Sequence, residues 1–124
     1  FGARGGFVFN LDSTTNPTNF VIVHCSDSNI KIEKCVGGTY TQVSLTGIAY
    51  VAGAKLVAQK RGTNYRIYYN NSALFDETIS DAGIVANVRH GVFSTNSANQ
   101  LDNFVCLSSG SGGEYQLFDR WLER

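Results

Sequence analysis

The sequence predicts an all-β domain built as an antiparallel β-sandwich, and three observations carry that prediction. Val, Ile, Thr, Tyr and Phe crowd into short segments in which apolar and polar residues alternate. Gly, Asn, Asp and Ser punctuate those segments at short intervals. No helical period occurs before the last eleven residues. At 124 residues the chain is long enough for one domain with a single core.

The segments follow in order. "GFVFNLD" alternates Phe7, Phe9 and Leu11 against Val8, Asn10 and Asp12, and "STTNPTN" is a loop with the single proline. "FVIVHC" and "IKIEKC" pair across a turn at "SDSN". That register puts Val21, Val23 and Cys25 on one face with Ile30 and Ile32, and sets His24 beside Lys31 and Ile22 beside Glu33 on the other. Lys34 intrudes on the apolar face near its end, where its stem can snorkel outward. After a turn at "GGTY", "TQVSLTG" is expected to turn Val43 and Leu45 inward and Gln42, Ser44 and Thr46 outward. "AKLVAQKRG" and "NYRIYYN" form a pair closed by Gly62, Thr63 and Asn64, with Tyr65, Ile67 and Tyr69 on one face and Arg66 and Tyr68 on the other. Asn70 and Asn71 tolerate the positive φ of a two-residue hairpin and lead into "SALFDETI". "GVFST" and "LDNFVCL" complete about nine strands.

The tail changes character. "SSGSGG" has the composition of a flexible linker. In "EYQLFDRWLER", Tyr115, Phe118 and Leu122 share a helical stripe flanked by Leu117 and Trp121, which predicts a short amphipathic helix. So short a helix is marginal alone in water and must dock, on its own sandwich or on a partner. The expected organisation is a sandwich over 1–107, a Ser/Gly linker over 108–113 and a helix or docking tail over 114–124.

Ten basic and ten acidic residues give a net charge of zero, so no basic stripe points to nucleic acid. The longest apolar runs are far short of a membrane span. The chain begins at Phe1 and contains no Met, which suggests an excised or processed piece. A Cys25–Cys35 disulfide fails on geometry. With Cys35 opposite Phe20, the two cysteines stand roughly 16 Å apart along the ladder and on opposite faces, against the roughly 5.5 Å a disulfide needs. Free thiols are expected there, with a long-range pair to Cys106 as the alternative.

The order "GFVFNLDSTTNPTNFVIV", "IKIEKCVGGTYTQV", "YRIYYNNSALFDETISDAGI", "RHGVFSTNSANQLDNFVC" resembles the laminin-G-like, concanavalin A-like jelly-roll modules over about residues 5–107. The matching positions are Tyr65 to Asn71, Asp81 to Ile84, Gly91 to Ser94 and Leu101 to Phe104. The resemblance implies a jelly roll that recognises a glycan or a protein surface, in an extracellular, cell-surface or virion-surface setting. It also implies possible calcium ligands in loop carboxylates, for which Asp12, Asp27, Asp81 and Asp102 are the candidates. Such modules usually carry further strands before "GFVFN". Their absence here leads us to expect an upstream region or another subunit to complete the edges, so the chain is expected to be an oligomer or part of a larger chain. "FDRWLER" has no counterpart in the pattern.

Catalysis finds little support. Glycosidases on such a fold carry alternating carboxylates on one strand, which this chain lacks. Asp76 and Glu77 are adjacent and so face opposite ways, and Glu33 stands alone among lysines. His24 and His90 have no nucleophile elbow near them and are expected at the surface or rim. Asn70 begins an Asn-x-Ser glycosylation triplet at a hairpin tip. Arg66 and Tyr68, an outward guanidinium and ring, are able to hydrogen-bond and stack on a sugar, and His24 is a further ligand candidate. The expected function is therefore non-catalytic recognition. A structural or decoration subunit of a fibre, filament or capsid is the first alternative, and an ancillary domain of a carbohydrate-active enzyme the second.

Overall fold

The computed structural model describes residues 4–26, 28–49, 51–108 and 115–122, the side chains of 102–104, 106–108 and 115–122 excepted. Ten strands run β1 (Gly5–Leu11), β2 (Phe20–Ser26), β3 (Asn29–Val36), β4 (Thr39–Gly47), β5 (Lys55–Arg61), β6 (Asn64–Tyr69), β7 (Ser72–Thr78), β8 (Arg89–Ser94), β9 (Gln100–Ser108) and β10 (Tyr115–Leu122). A single helical turn, α1 (Ala82–Val85), precedes β8. The strands make two five-stranded sheets, a front sheet ordered β4-β3-β2-β1-β8 and a back sheet ordered β7-β6-β5-β10-β9. All described pairings are antiparallel. The predicted antiparallel β-sandwich is the observed fold.

The core lies between the sheets. Phe7, Phe9, Val21, Val23, Ile30 and Ile32 from the front meet Leu56, Ala58, Tyr65 and Ile67 from the back, all essentially buried. Ile84 of α1 is fully buried in the same cluster, so this one turn acts as a plug. The β2–β3 register is the predicted one, with Phe20 opposite Cys35, Cys25 opposite Ile30 and His24 opposite Lys31. Cys25 accordingly faces the core and Cys35 lies under the outer face, and no disulfide joins the two. Cys106 has no described side chain. Lys34 leaves the core edge as expected, its Nζ 2.8 Å from an Asp81 carboxylate oxygen.

Three expectations fail, each for an identifiable reason. The tail is a strand, not a helix: β10 inserts between β5 and β9 and pairs with both. Eleven residues support either period, and two backbone ladders outweigh a helix that is marginal by itself. Tyr115, Phe118, Trp121 and Leu122 therefore occupy strand positions, and the contacts of their side chains lie outside the described residues, as does most of the linker. In β4, Val43 packs against the core as expected, but the register shifts between Ile32 and Glu33 of its partner and leaves Val43 as the extra residue, so Leu45 does not follow it inward. One extra residue exchanges the two faces. Ser44 and Thr46 thus stand opposite the core residues Ile32 and Ile30, while Leu45 is exposed. A similar slip occurs in β1, where Asn10 adopts φ 54° and the register shifts between Val8 and Leu11. Leu11 then packs with Val8 on the outer side instead of with Phe7 and Phe9.

Candidate functional site

The outward side of the front sheet is not a plain solvated face. Val8, Phe20 and Cys35 form a second buried cluster there, with Leu11 and Ile22 packed against it. This follows from "FVIVHC", in which both alternating sets are largely apolar, so that β2 is buried on both sides. The cluster floors an open groove of about 500 Å³. Tyr40 and Phe93 border it from β4 and β8, and Arg4 and Thr95 close one end. Tyr40 is 58% exposed, and its ring is held edge-on against Phe20 at 5.7 Å between centroids.

The polar centre of this groove is a His24–Glu33 pair. Nε2 of His24 lies 2.7 Å from Oε2 of Glu33. His24 is completely buried, which corrects the expectation of a rim residue: Glu33 and the Phe93 ring, 6.2 Å away, cover it. Burial holds the imidazole below its ordinary pKa against the opposing pull of Glu33. The ring is therefore neutral at pH 7, and Nε2–H donates to the carboxylate. The Nδ1 atom is buried with no hydrogen-bond partner. Glu33 keeps Oε1 for another donor, with its side chain 18% exposed.

Arg66 and Tyr68 lie on the far side of the molecule, on the outward face of the back sheet, so the structure does not bring them together with His24. Nε of Arg66 is 2.9 Å from Oδ2 of Asp76, and Asn64 donates to the other carboxylate oxygen. Those bonds, Asn64's first, lower the Asp76 pKa. Glu77 instead accepts from the Ser44 hydroxyl across the sandwich edge, so the adjacent carboxylates do face opposite ways.

The two calcium candidates among the described residues, Asp12 and Asp81, are each engaged by other partners. Asp12 accepts from the Thr18 backbone N–H at 2.9 Å, the Thr18 hydroxyl at 2.9 Å and the Asn19 amide at 2.8 Å, which closes the proline loop. These bonds, Asn19's foremost, hold its carboxyl well below the usual range. Asp81 is engaged by Lys34. Asp27 and the Asp102 side chain lie outside the described residues. Among the described residues, no three His, Cys, Asp or Glu side chains converge as metal ligands. Asn70 and Asn71 form the positive-φ hairpin tip (φ 46° and 68°), and Asn70 is exposed, with its Oδ1 accepting from the Lys55 N–H.

The sequence did not single out the network behind β1. Tyr65 donates to Asn10 Oδ1 at 2.8 Å, Asn10 and Asn87 exchange side-chain-to-backbone bonds, and the Asn10 N–H donates to His90 Nδ1. These bonds tie the two sheets together and satisfy the bulge. An Asn inside a strand otherwise rich in Phe and Val was the available signal.

No protein-family model matches the chain, and no curated protein matches it. Among solved structures it is similar to a carbohydrate-binding module, CBM66 from Bacillus subtilis, at a TM-score of 0.55 and 14% identity. The likeness is one of fold. It covers 98% of this chain and 63% of that one, so the chain spans less than two thirds of its neighbour's length. This similarity supports a jelly-roll-like sandwich at a coarse level and does not extend to laminin G or concanavalin A in particular.

Proposed function

We propose that this domain is a non-catalytic recognition module that binds a glycan along the outward face of the front sheet. The observation that carries the reading is the groove there, open, apolar-floored and supplied with a few placed polar groups, the usual make-up of a small-ligand site. The C–H face of a sugar stacks on Tyr40, and the hydroxyls reach Glu33 Oε1. His24 orients Glu33 through its Nε2–Oε2 hydrogen bond. The fold neighbour is a carbohydrate-binding module, which supports the same reading. Glu33 is the one carboxylate lining the groove among the described residues, whereas glycoside hydrolysis takes two flanking the bond, which favours binding over cleavage. Such a module works where glycans are displayed, on a cell or virion surface.

Affinity electrophoresis through gels containing a β-glucan, a xylan, a mannan, a fructan or a uronic-acid polymer tests the proposal. Retardation by at least one polymer, at least tenfold weaker in Tyr40→Ala and Glu33→Gln, is the expected result. Retardation unchanged in both variants would place the site elsewhere.

A structural subunit is the second reading, favoured by the edge strand β4, where Tyr40 and Leu45 are exposed at 58% and 44%. A concentration-dependent increase in mass by light scattering, abolished in Leu45→Lys, would support it.

A further inference from the structure

We propose that the outward face of the back sheet carries a second, independent sugar-binding site, centred on Tyr68, Arg66 and Asp76, so that one domain bridges two glycan chains. It extends the reading above to a second surface and rests on chemistry of its own. Arg66 and Tyr68 alternate on β6 and so share the outward face. Asp76 on β7 stands opposite Arg66, and Ala73 opposite Tyr68. The register shifts between Ile67 and Tyr68, so that Leu74 is the extra residue of β7. A methyl group opposite the Tyr68 ring leaves the flank of the ring uncovered. The result is a shallow groove of about 280 Å³ bordered by Tyr68, Arg66, Asp76, Ala73, Leu74 and Phe75.

The polar rim is already organised. Asp76 takes one N–H from Arg66 and one from Asn64, which fixes its carboxylate while leaving lone pairs directed outward. The guanidinium keeps its terminal N–H groups available beside it. Arg66 and Asp76 are 54% and 55% exposed at their side chains, and an exposed pair of this kind adds little to stability. An aromatic ring flanked by fixed donors and acceptors matches a single pyranose or furanose unit, whose C–H face stacks while neighbouring hydroxyls exchange hydrogen bonds with the rim. The smaller volume fits one sugar unit, against a longer segment in the front groove. The sheets stand about 10 Å apart with their outward faces opposed. A short oligosaccharide on one face therefore cannot reach the other, and double occupancy joins separate chains.

The test uses the whole domain and the same five polysaccharides, with five proteins: wild type, Tyr40→Ala, Tyr68→Ala, the Tyr40→Ala/Tyr68→Ala double variant and Arg66→Ala. Arg66→Ala serves as a second back-face variant because its exposed side chain is dispensable for folding. Retardation is expected to persist in each single variant, at least tenfold weaker in Tyr40→Ala and about three- to tenfold weaker in Tyr68→Ala, and to vanish in the double variant. Turbidity on mixing wild type with the retained polymer is expected to disappear in either single variant. Retardation abolished by Tyr40→Ala and untouched by Tyr68→Ala and Arg66→Ala overturns the second site and leaves the front groove standing. The reverse pattern overturns the front groove and leaves the second site standing. No retardation of the wild type by any polymer overturns both.

Discussion

The two outward faces of this sandwich were built by opposite means. On the front, β2 is apolar in both alternating sets, so Phe20 and Val8 are buried with Ile22 packed partly buried against them, and among the described residues no third layer lies over them. A charged residue there, Glu33, is held by a completely buried histidine. On the back, β6 alternates strictly, its inward tyrosines and Ile67 buried and its outward Arg66 in an exposed ion pair. The difference teaches that burial, more than residue type, separates a face that shapes a ligand groove from one that displays groups to solvent. Front-face changes should disturb folding and binding together, and back-face changes should leave folding alone.

The largest effect is expected at Gly6, under the front groove. A Cβ at this position would lie 2.1 Å from the Val23 carbonyl oxygen and 2.9 Å from the His24 Cα, both backbone atoms of the partner strand. Gly6→Ala must push β1 and β2 apart, and we expect a loss of about 3 kcal/mol or more by urea denaturation. A loss below about 1 kcal/mol would show that the front sheet yields there. Phe20→Ala removes a ring that is 6% exposed and should cost about 3 kcal/mol. Tyr68→Ala, on the half-buried back face, should cost clearly less, and equal costs would break the comparison.

Acid sharpens it further. Burial depresses the pKa of His24, and it depresses that of His90 to about 4. A histidine whose folded pKa is lowered stays neutral in the fold while the unfolded chain takes up protons below about pH 6.5. Stability is therefore full above that pH and falls as the pH drops toward 4, by on the order of 2–3 kcal/mol for His90. The melting temperature should drop between pH 7 and pH 4.5, and His90→Asn should flatten the drop. A melting temperature that rises on acidification would contradict the burial of both rings. The smallest effect is reserved for Arg66→Ala, which should change stability by no more than about 0.5 kcal/mol.

The front hairpin was legible in the sequence because its core-facing set, Val21, Val23, Cys25, Ile30 and Ile32, fits a single register, and a one-residue slip would expose it. The turn at Gly62 and the Asn70–Asn71 turn were legible for a similar local reason, since Gly62, Asn70 and Asn71 adopt positive φ readily. Bulges are not encoded so locally. Val43 and Asn10 displace the faces of β4 and β1 through pairing with neighbours that alternation within one strand cannot reveal. Residues 115–122 carry both periods, and only their position between β5 and β9 decides for a strand. His24 was misplaced because a polar residue in an outward position reads as exposed. The alternating Phe20, Ile22, His24 set was the signal that this outward face is covered.

The central claim is that the front groove receives a glycan, and an amide chemical-shift titration tests it most directly. The ¹⁵N-labelled domain would be titrated with short oligosaccharides cut from whichever polymer retards it. The account predicts shifts clustered on β2, β3 and β4 around His24, Glu33 and Tyr40, together with a shift of the His24 ring resonances. Saturable shifts that leave those residues unmoved would contradict it.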